Sequence, residues 1–164
     1  MTPLNQIRQK LFLREALVQQ VISWKNERKK IVFTNGCFDI IHPGHIDYLA
    51  KAASLGDKLI IGVNTDASVQ KLKGPHRPIQ NENSRAMVLA ALGFTDAIVL
   101  FGEDTPARLI AELLPDILVK GADYTIDQIA GADTVTQNGG SVVLLPYLPG
   151  YSTSGIEAKI RKGN

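Results

Sequence analysis

The chain has 164 residues, of which 45% are hydrophobic, and its 18 Lys and Arg against 16 Asp and Glu leave a net charge of +2, a size and make-up that suit one domain with its own core. So even a balance gives no basis for nucleic-acid or membrane-surface binding, and the single cysteine excludes an intrachain disulfide framework. No apolar run approaches the roughly 18 residues of a membrane-spanning helix, and Met1 to Lys30 is amphipathic without the apolar centre of a signal peptide, so the expected setting is the cytoplasm, with no nucleic-acid or membrane partner.

In chain order, Thr2-Pro3 precedes Leu4, Ile7, Leu11, Leu17, Val21 and Trp24, whose spacing predicts one or two helices over residues 1–28. This N-terminal helical extension is expected to pack on the sheet or on a neighbouring subunit. Ile31-Val32-Phe33 predicts a strand that Asn35-Gly36 breaks, and Gly44 opens a helical pattern of Ile46, Leu49, Ala50 and Ala53. Further buried strands are predicted at Leu59 to Val63, Ala97 to Leu100, Ile117 to Val119 and Val142 to Leu145. Between them stand a polar stretch from Lys71 to Asn83 with Gly74, Pro75 and Pro78, a helix Ser84 to Leu92, and a helix Ala107 to Leu114. In the last of these, Thr105 serves as cap and Pro106 as the first helical position. A final helical pattern carries Ile156 and Ile160. The alternation predicts an α/β fold: a doubly wound, Rossmann-like, five-stranded parallel sheet with helices on both faces. In such sheets ligands lie outside the carboxyl ends of the strands, at the switch in strand order.

The richest strand end is Thr34-Asn35-Gly36-Cys37-Phe38-Asp39-Ile40-Ile41-His42-Pro43-Gly44-His45. It places two imidazoles around a Pro-Gly turn after an apolar strand, where a helix directs its free N–H groups at an anion. That arrangement suits a nucleotide triphosphate. Thr34 offers a hydroxyl to a phosphate, and Asn35-Gly36 lets the backbone approach a ligand closely. Lys73, beside Gly74, Pro75 and His76, is a mobile cation suited to follow charge toward a leaving group, with Lys71 as its competitor. Lys120-Gly121-Ala122-Asp123-Tyr124 puts a cation and a tight turn at another strand end, and Ser152, Thr153 and Ser154 bring hydroxyls and free N–H groups to the start of the last helix. Cys37 has no evident work here and is expected to be a small packed side chain.

Taken together, these residues resemble the HxGH nucleotidylyltransferases, whose signature is met by His42-Pro43-Gly44-His45. Within them the chain is similar to the cytidylyltransferase-like branch, and there to the adenylyltransferases that form ADP-heptose from D-glycero-β-D-manno-heptose 1-phosphate. The likeness extends through Gly62-Val63-Asn64-Thr65-Asp66-Ala67-Ser68-Val69, Leu72-Lys73-Gly74 with Arg77-Pro78, and Glu103-Asp104-Thr105-Pro106 with Arg108-Leu109-Ile110. It continues through Leu114-Pro115-Asp116-Ile117-Leu118-Val119-Lys120-Gly121-Ala122-Asp123-Tyr124, with Ala122 where the family pattern more often has a second glycine, and Ser152-Thr153-Ser154.

The resemblance implies that residues 29–164 form a nucleotidylyltransferase domain in which a sugar phosphate oxygen attacks the α-phosphorus of ATP and pyrophosphate leaves, with no covalent enzyme intermediate. Such chemistry asks for positioning and for donors around the phosphorus rather than for a side-chain nucleophile. His42, His45 and Lys73 are the expected catalytic residues. Thr34, Asn35, Gly36, Phe38, Gly44, Lys120, Gly121, Ser152, Thr153 and Ser154 are expected to hold nucleotide and phosphates. Asp39, Asn64, Asp66, Arg77, Arg85 and Asp123 are the acceptor-side candidates.

Relatives that transfer cytidylyl groups usually carry Arg-Thr-Glu-Gly-Ile-Ser-Thr before the last helix, where this chain has Leu148-Pro149-Gly150-Tyr151-Ser152-Thr153-Ser154. ATP is therefore expected over CTP. Mg²⁺ is expected to arrive with ATP, held mainly by its phosphates, because no dense carboxylate cage and no zinc-ligand spacing is visible. The implied partners are ATP, a sugar phosphate, a second copy in a homodimer, and a separate sugar kinase that supplies the acceptor. Two other readings are transfer of CMP to glycerol 3-phosphate and, from another class, nucleotide binding without catalysis. Pyrophosphate release separates them.

Overall fold

A computed structural model describes residues 1–163. The apolar runs become six parallel strands: β1 (Leu11–Phe12), β2 (Ile31–Gly36), β3 (Lys58–Asn64), β4 (Ala97–Phe101), β5 (Ile117–Gly121) and β6 (Ser141–Leu145). Their spatial order is β1-β4-β3-β2-β5-β6. The chain winds outward from β2 through β3 to β4, then returns to the other side of β2 for β5 and β6, so the switch in strand order lies between β2 and β5. Among the described residues eight α-helices connect or flank the strands: α1 (Pro3–Arg8), α2 (Arg14–Asn26), α3 (Pro43–Ala53), α4 (Asp66–Lys73), α5 (Glu82–Ala90), α6 (Ala107–Leu113), α7 (Ala132–Gln137) and α8 (Thr153–Lys162).

Residues of the central strands β2 to β5 alternate between two largely buried faces, the reason their sequence reads as continuous apolar runs. On one face Ile31, Phe33, Ile60, Val99 and Leu118 pack with Leu17 and Val21 of α2 and with Leu109, Ile110 and Leu113 of α6. On the other, Val32, Leu59, Ile61 and Val119 pack with Leu49 of α3 and Leu89 of α5. The residues ahead of β2 thus contribute side chains to the same core as the sheet.

The predicted sheet of five strands is corrected to six. Leu11 and Phe12, read above as part of a helical pattern, pair with Ile98 and Val99 as a short edge strand, and the Ile98 amide donates to the Lys10 carbonyl at 2.7 Å. Two residues are too few to show the alternation by which a strand is read. A second correction concerns Asn35-Gly36, which extends β2 instead of breaking it, pairing with Gly62 and Val63. The ladder continues because Gly36 keeps an ordinary backbone conformation and does not turn left-handed.

Candidate active site

The carboxyl ends of β2, β3, β4 and β5 open into a cleft of about 820 Å³, directly at the switch in strand order. His42 is the N-cap of α3, held extended (φ −144°, ψ 167°), and Pro43 takes the first helical position, which its fixed φ suits. His45 follows in the first turn. The two rings stack with centroids 3.8 Å apart and planes 21° from parallel. Nδ1 of each ring is buried and has no hydrogen-bond partner, a costly arrangement for a buried polar atom unless a ligand completes it.

Burial, and then the neighbouring His42, push the His45 pKa down to about 4, against a weaker upward pull from the Ile40 carbonyl. Burial also lowers that of His42. Both are therefore neutral at neutral pH, each a donor through one nitrogen. Phe38, in the left-handed region at φ 49°, sets its ring edge-on to His45 at 5.4 Å. A Cβ at position 36 would lie 2.9 Å from that ring, and one at position 44 would lie 2.9 Å from the His42 ring and 3.1 Å from Tyr151. Gly36 and Gly44 thus make room for the histidine loop.

Two lysines line the same cleft. Lys73 ends α4 and lines the cleft, whereas its competitor Lys71 pairs with Asp104 on the exposed surface. Lys120 donates to Asn35 Oδ1 at 3.0 Å and stands 5.1 Å over the Tyr124 ring. Burial lowers its pKa, partly offset by Asp123. Gly121 lies against the Tyr147 hydroxyl so closely that a Cβ there would collide with it. Across the cleft Ser152 caps α8, its Oγ accepting from the Gly155 amide at 3.0 Å, and Thr153 Oγ1 donates to the Ile40 carbonyl at 3.5 Å. Ser154 also lines the cleft.

Asn35, Gly36, Phe38, Asp39, His42, Gly44, His45, Asn64, Lys73, Arg77, Lys120, Gly121, Ser152, Thr153 and Ser154 come together in this wall. Thr34, Asp66, Arg85 and Asp123 do not, and each is a correction with a physical reason. Thr34 is fully buried and shares a hydrogen bond of 2.8 Å with the Tyr48 hydroxyl. Arg85, also fully buried, spends its guanidinium on the carbonyls of Gln80, Cys37 and Asn64 and on the Asp66 carboxylate at 2.9 Å. A charge removed from water must be satisfied in this way, so Arg85 and Asp66 brace the strand ends from behind. Asp123 is exposed beside Tyr147, and burial together with that carboxylate pushes the Tyr147 pKa up.

The three other acceptor-side candidates, Asp39, Arg77 and Asn64, line the cleft but are spent on the protein itself. Asp39 is 2% exposed and accepts from Arg77 Nε at 2.6 Å and from the amides of Ile79 and Gln80 at 2.8 Å. Burial disfavours its carboxylate, but these donors prevail and hold its pKa below the usual range. Arg77 also donates to Glu157 at 3.2 Å. Asn64 donates to the Ser68 hydroxyl at 2.9 Å. Among the described residues no three His, Cys, Asp or Glu side chains gather as ligands for a metal. The deeply buried carboxylate beside the cleft, Asp39, already has its donors.

Sequence reasoning missed Tyr48, Tyr147, Leu72 and Phe101 as cleft residues. Tyr48 carries a readable signal, since it follows His45 at helical spacing and so shares its face. Tyr147 sits in a loop after β6, and no local pattern announces that its ring turns back 6.1 Å from Tyr48.

The cytidylyltransferase-like family matches over residues 33–158. The chain is 55% identical to the bifunctional protein HldE of Nitrosococcus oceani, covering 95% of this chain and 33% of that protein. It is 55% identical to the bifunctional protein HldE of Mesorhizobium japonicum, covering 89% and 29%. It thus spans about a third of the length of these relatives. Among solved structures, the lipopolysaccharide core biosynthesis protein of Thermoplasma volcanium aligns with a TM-score of 0.59 at 29% identity, over 73% of this chain and 97% of that one. Pantoate-beta-alanine ligase of Francisella tularensis, solved with beta-gamma ATP and beta-alanine, shares the fold at a TM-score of 0.54 and 15% identity, over 88% and 75%. A strand-end histidine pair in a doubly wound sheet and a family match over most of the chain agree: this protein belongs to the cytidylyltransferase-like family of nucleotidyltransferases.

Proposed function

We propose that the protein transfers AMP from ATP to D-glycero-β-D-manno-heptose 1-phosphate, releasing ADP-heptose and pyrophosphate. The observation that carries the transfer is the stacked His42 and His45 pair at the start of α3, each with a buried, unpartnered nitrogen. In this reading an acceptor phosphate oxygen attacks the α-phosphorus, and the bond from that phosphorus to the bridging oxygen of the leaving pyrophosphate breaks. His42 and His45 donate to phosphate oxygens as charge builds on them. Lys73 follows that charge to the leaving group, and Lys120 steadies the other end of the triphosphate while Asn35 holds its ammonium. Ser152 to Ser154, at the start of α8, meet a further phosphate oxygen. The substrate enters as magnesium-bound ATP, whose metal screens the triphosphate charge.

Two things support heptose 1-phosphate as acceptor: the ordered sequence blocks from Gly62 to Ser154, and the likeness to proteins named HldE and to a lipopolysaccharide core biosynthesis protein. ATP is favoured over CTP because Leu148 to Tyr151 replaces the Arg-Thr-Glu-Gly run of cytidylyl-transferring relatives. A separate sugar kinase would supply the acceptor, and a homodimer is the assembly we propose.

The test is pyrophosphate release with Mg²⁺ and each pairing of ATP or CTP with heptose 1-phosphate or glycerol 3-phosphate. Turnover is expected with ATP and the heptose alone. His42→Ala and His45→Ala should each lose about 10²- to 10³-fold in kcat, the usual cost of one preorganised donor. Turnover with CTP and glycerol 3-phosphate would overturn the substrates. ATP binding without turnover of any pair would overturn the reaction.

A further inference from the structure

Helix α8 carries the Ser152–Ser154 wall of the cleft, yet none of its residues is buried. Ile160, its last large apolar residue, is 68% exposed. The helix follows a loop with Pro146, Pro149 and a left-handed Gly150, so apolar packing does little to fix it against the sheet. What fixes it is polar: the hydroxyl of Thr153 on the Ile40 carbonyl, and Glu157, which receives Arg77. Arg77 belongs to the segment after Lys73, where Asp39 also receives the amides of Ile79 and Gln80. Its side chain is 12% exposed, so these bonds form largely out of water, where charge-assisted contacts are strong.

We infer that Arg77 is a positioning residue: its guanidinium fastens both the Lys73 segment and α8 to Asp39 in the histidine loop, and so sets the spacing between two walls of the cleft. Three parts that must converge on one triphosphate, namely the histidines, Lys73 and the start of α8, then share one anchoring point. A planar fork serves two carboxylates at once, which a lysine ammonium on a flexible stem does not. Breaking the α8 branch alone should loosen the nucleotide. Breaking both branches should also misplace Lys73, and placement errors of that kind slow the chemical step.

The kinetic part of the test rests on the transfer reaction proposed above, whereas the exchange part does not. Arg77→Ala, Arg77→Lys and Glu157→Gln are followed by amide hydrogen exchange on the ligand-free protein and by steady-state pyrophosphate release. Glu157→Gln and Arg77→Lys are expected to speed exchange in residues 152–162 only, raising KM for ATP about fivefold with kcat nearly unchanged. Arg77→Ala is expected to speed exchange in residues 74–80 as well and to lower kcat about tenfold or more. Adding Glu157→Gln to Arg77→Ala should change little further, because the α8 branch is already gone. Unchanged exchange in α8 for both Arg77→Ala and Glu157→Gln would overturn the inference, as would additive losses in the double variant. Should Arg77→Ala fail to fold, Glu157→Gln and Arg77→Lys still decide the α8 branch. Absence of pyrophosphate release from the unaltered protein would refute the reaction, with the exchange pattern still deciding the anchor.

Discussion

Binding of ATP should bring a proton with it. In the free protein burial and His42 hold the His45 pKa down to about 4, so at pH 6.5 only about 0.3% of His45 is protonated. A phosphate charge about 4 Å from the ring contributes roughly 4 kcal/mol at the effective dielectric of a partly open site. That is about 3 pKa units, enough to carry His45 from about 4 to about 7. The rings stack at 3.8 Å, so a second proton on His42 would repel the first by a similar energy, and only one is taken up. At pH 6.5 the expected uptake is therefore about 0.7 proton per ATP, and ATP affinity should tighten as pH falls from 7.5 to 6. The assay is titration calorimetry with magnesium-saturated ATP in two buffers of unlike ionisation enthalpy. His45→Gln reports the protons that titrate on the nucleotide itself. Equal heats in both buffers across pH 6 to 8, or an uptake undiminished in His45→Gln, would refute the reasoning.

The same depressed pKa has a consequence for stability. Between about pH 6.5 and 4 the unfolded chain binds the His45 proton and the folded chain does not, so stability is fully present above 6.5 and falls as pH drops through that window. The loss is about 2–3 kcal/mol after allowing for partial solvent access; urea unfolding of the wild type and His45→Gln should show a smaller acid loss in the variant, and equal losses would refute the assignment. Arg85→Ala strands the Asp66 carboxylate and three carbonyls near the strand ends and should cost about 3–5 kcal/mol. A loss under about 1 kcal/mol by urea unfolding would show that Arg85 is not the brace described. Leu17→Ala should cost about 2–5 kcal/mol, because Leu17 is fully buried in the core that α2 shares with the sheet; a surface-sized effect in thermal unfolding would mean that α2 is dispensable to that core.

The features that were legible in the sequence are those fixed by local chemistry. Runs such as Leu59 to Val63 announce a parallel sheet because strands buried on both faces have no polar side to interrupt them. His42-Pro43-Gly44-His45 announces a helix start because Pro and Gly can be read one residue at a time. Other features depend on what distant segments supply. Leu11 and Phe12 form a strand only because β4 offers its edge. Arg85 stands among the acceptor-side residues that the family resemblance implies, near the start of a predicted helix. What decides otherwise is that three carbonyls and Asp66 surround it in the folded chain, two of the carbonyls 48 and 21 residues away. Thr34 was misread for the same reason, because Tyr48, which takes its hydroxyl, lies on a helix across the turn.

These corrections share a physical origin. A group that must wait for an anion cannot be both charged and deeply buried in the free protein, since desolvating an unpaired ion costs more than a domain can spare. Arg85 and Asp39, fully charged and almost wholly enclosed, have therefore spent their bonds on the scaffold. The groups left for a ligand meet the condition in the two ways open to them. His42 and His45 are buried but neutral, with nitrogens still unpartnered. Lys73 is charged but stays at the exposed end of α4. Lys120 lies between these cases, enclosed enough that its pKa falls, with Asn35 and the Tyr124 ring as partial partners. In the reaction proposed above, an arriving triphosphate would supply the missing charge to all of them at once. Donors that were arranged without it lie close to where they must act, so little reorganisation is left for the step in which charge builds on the phosphorus.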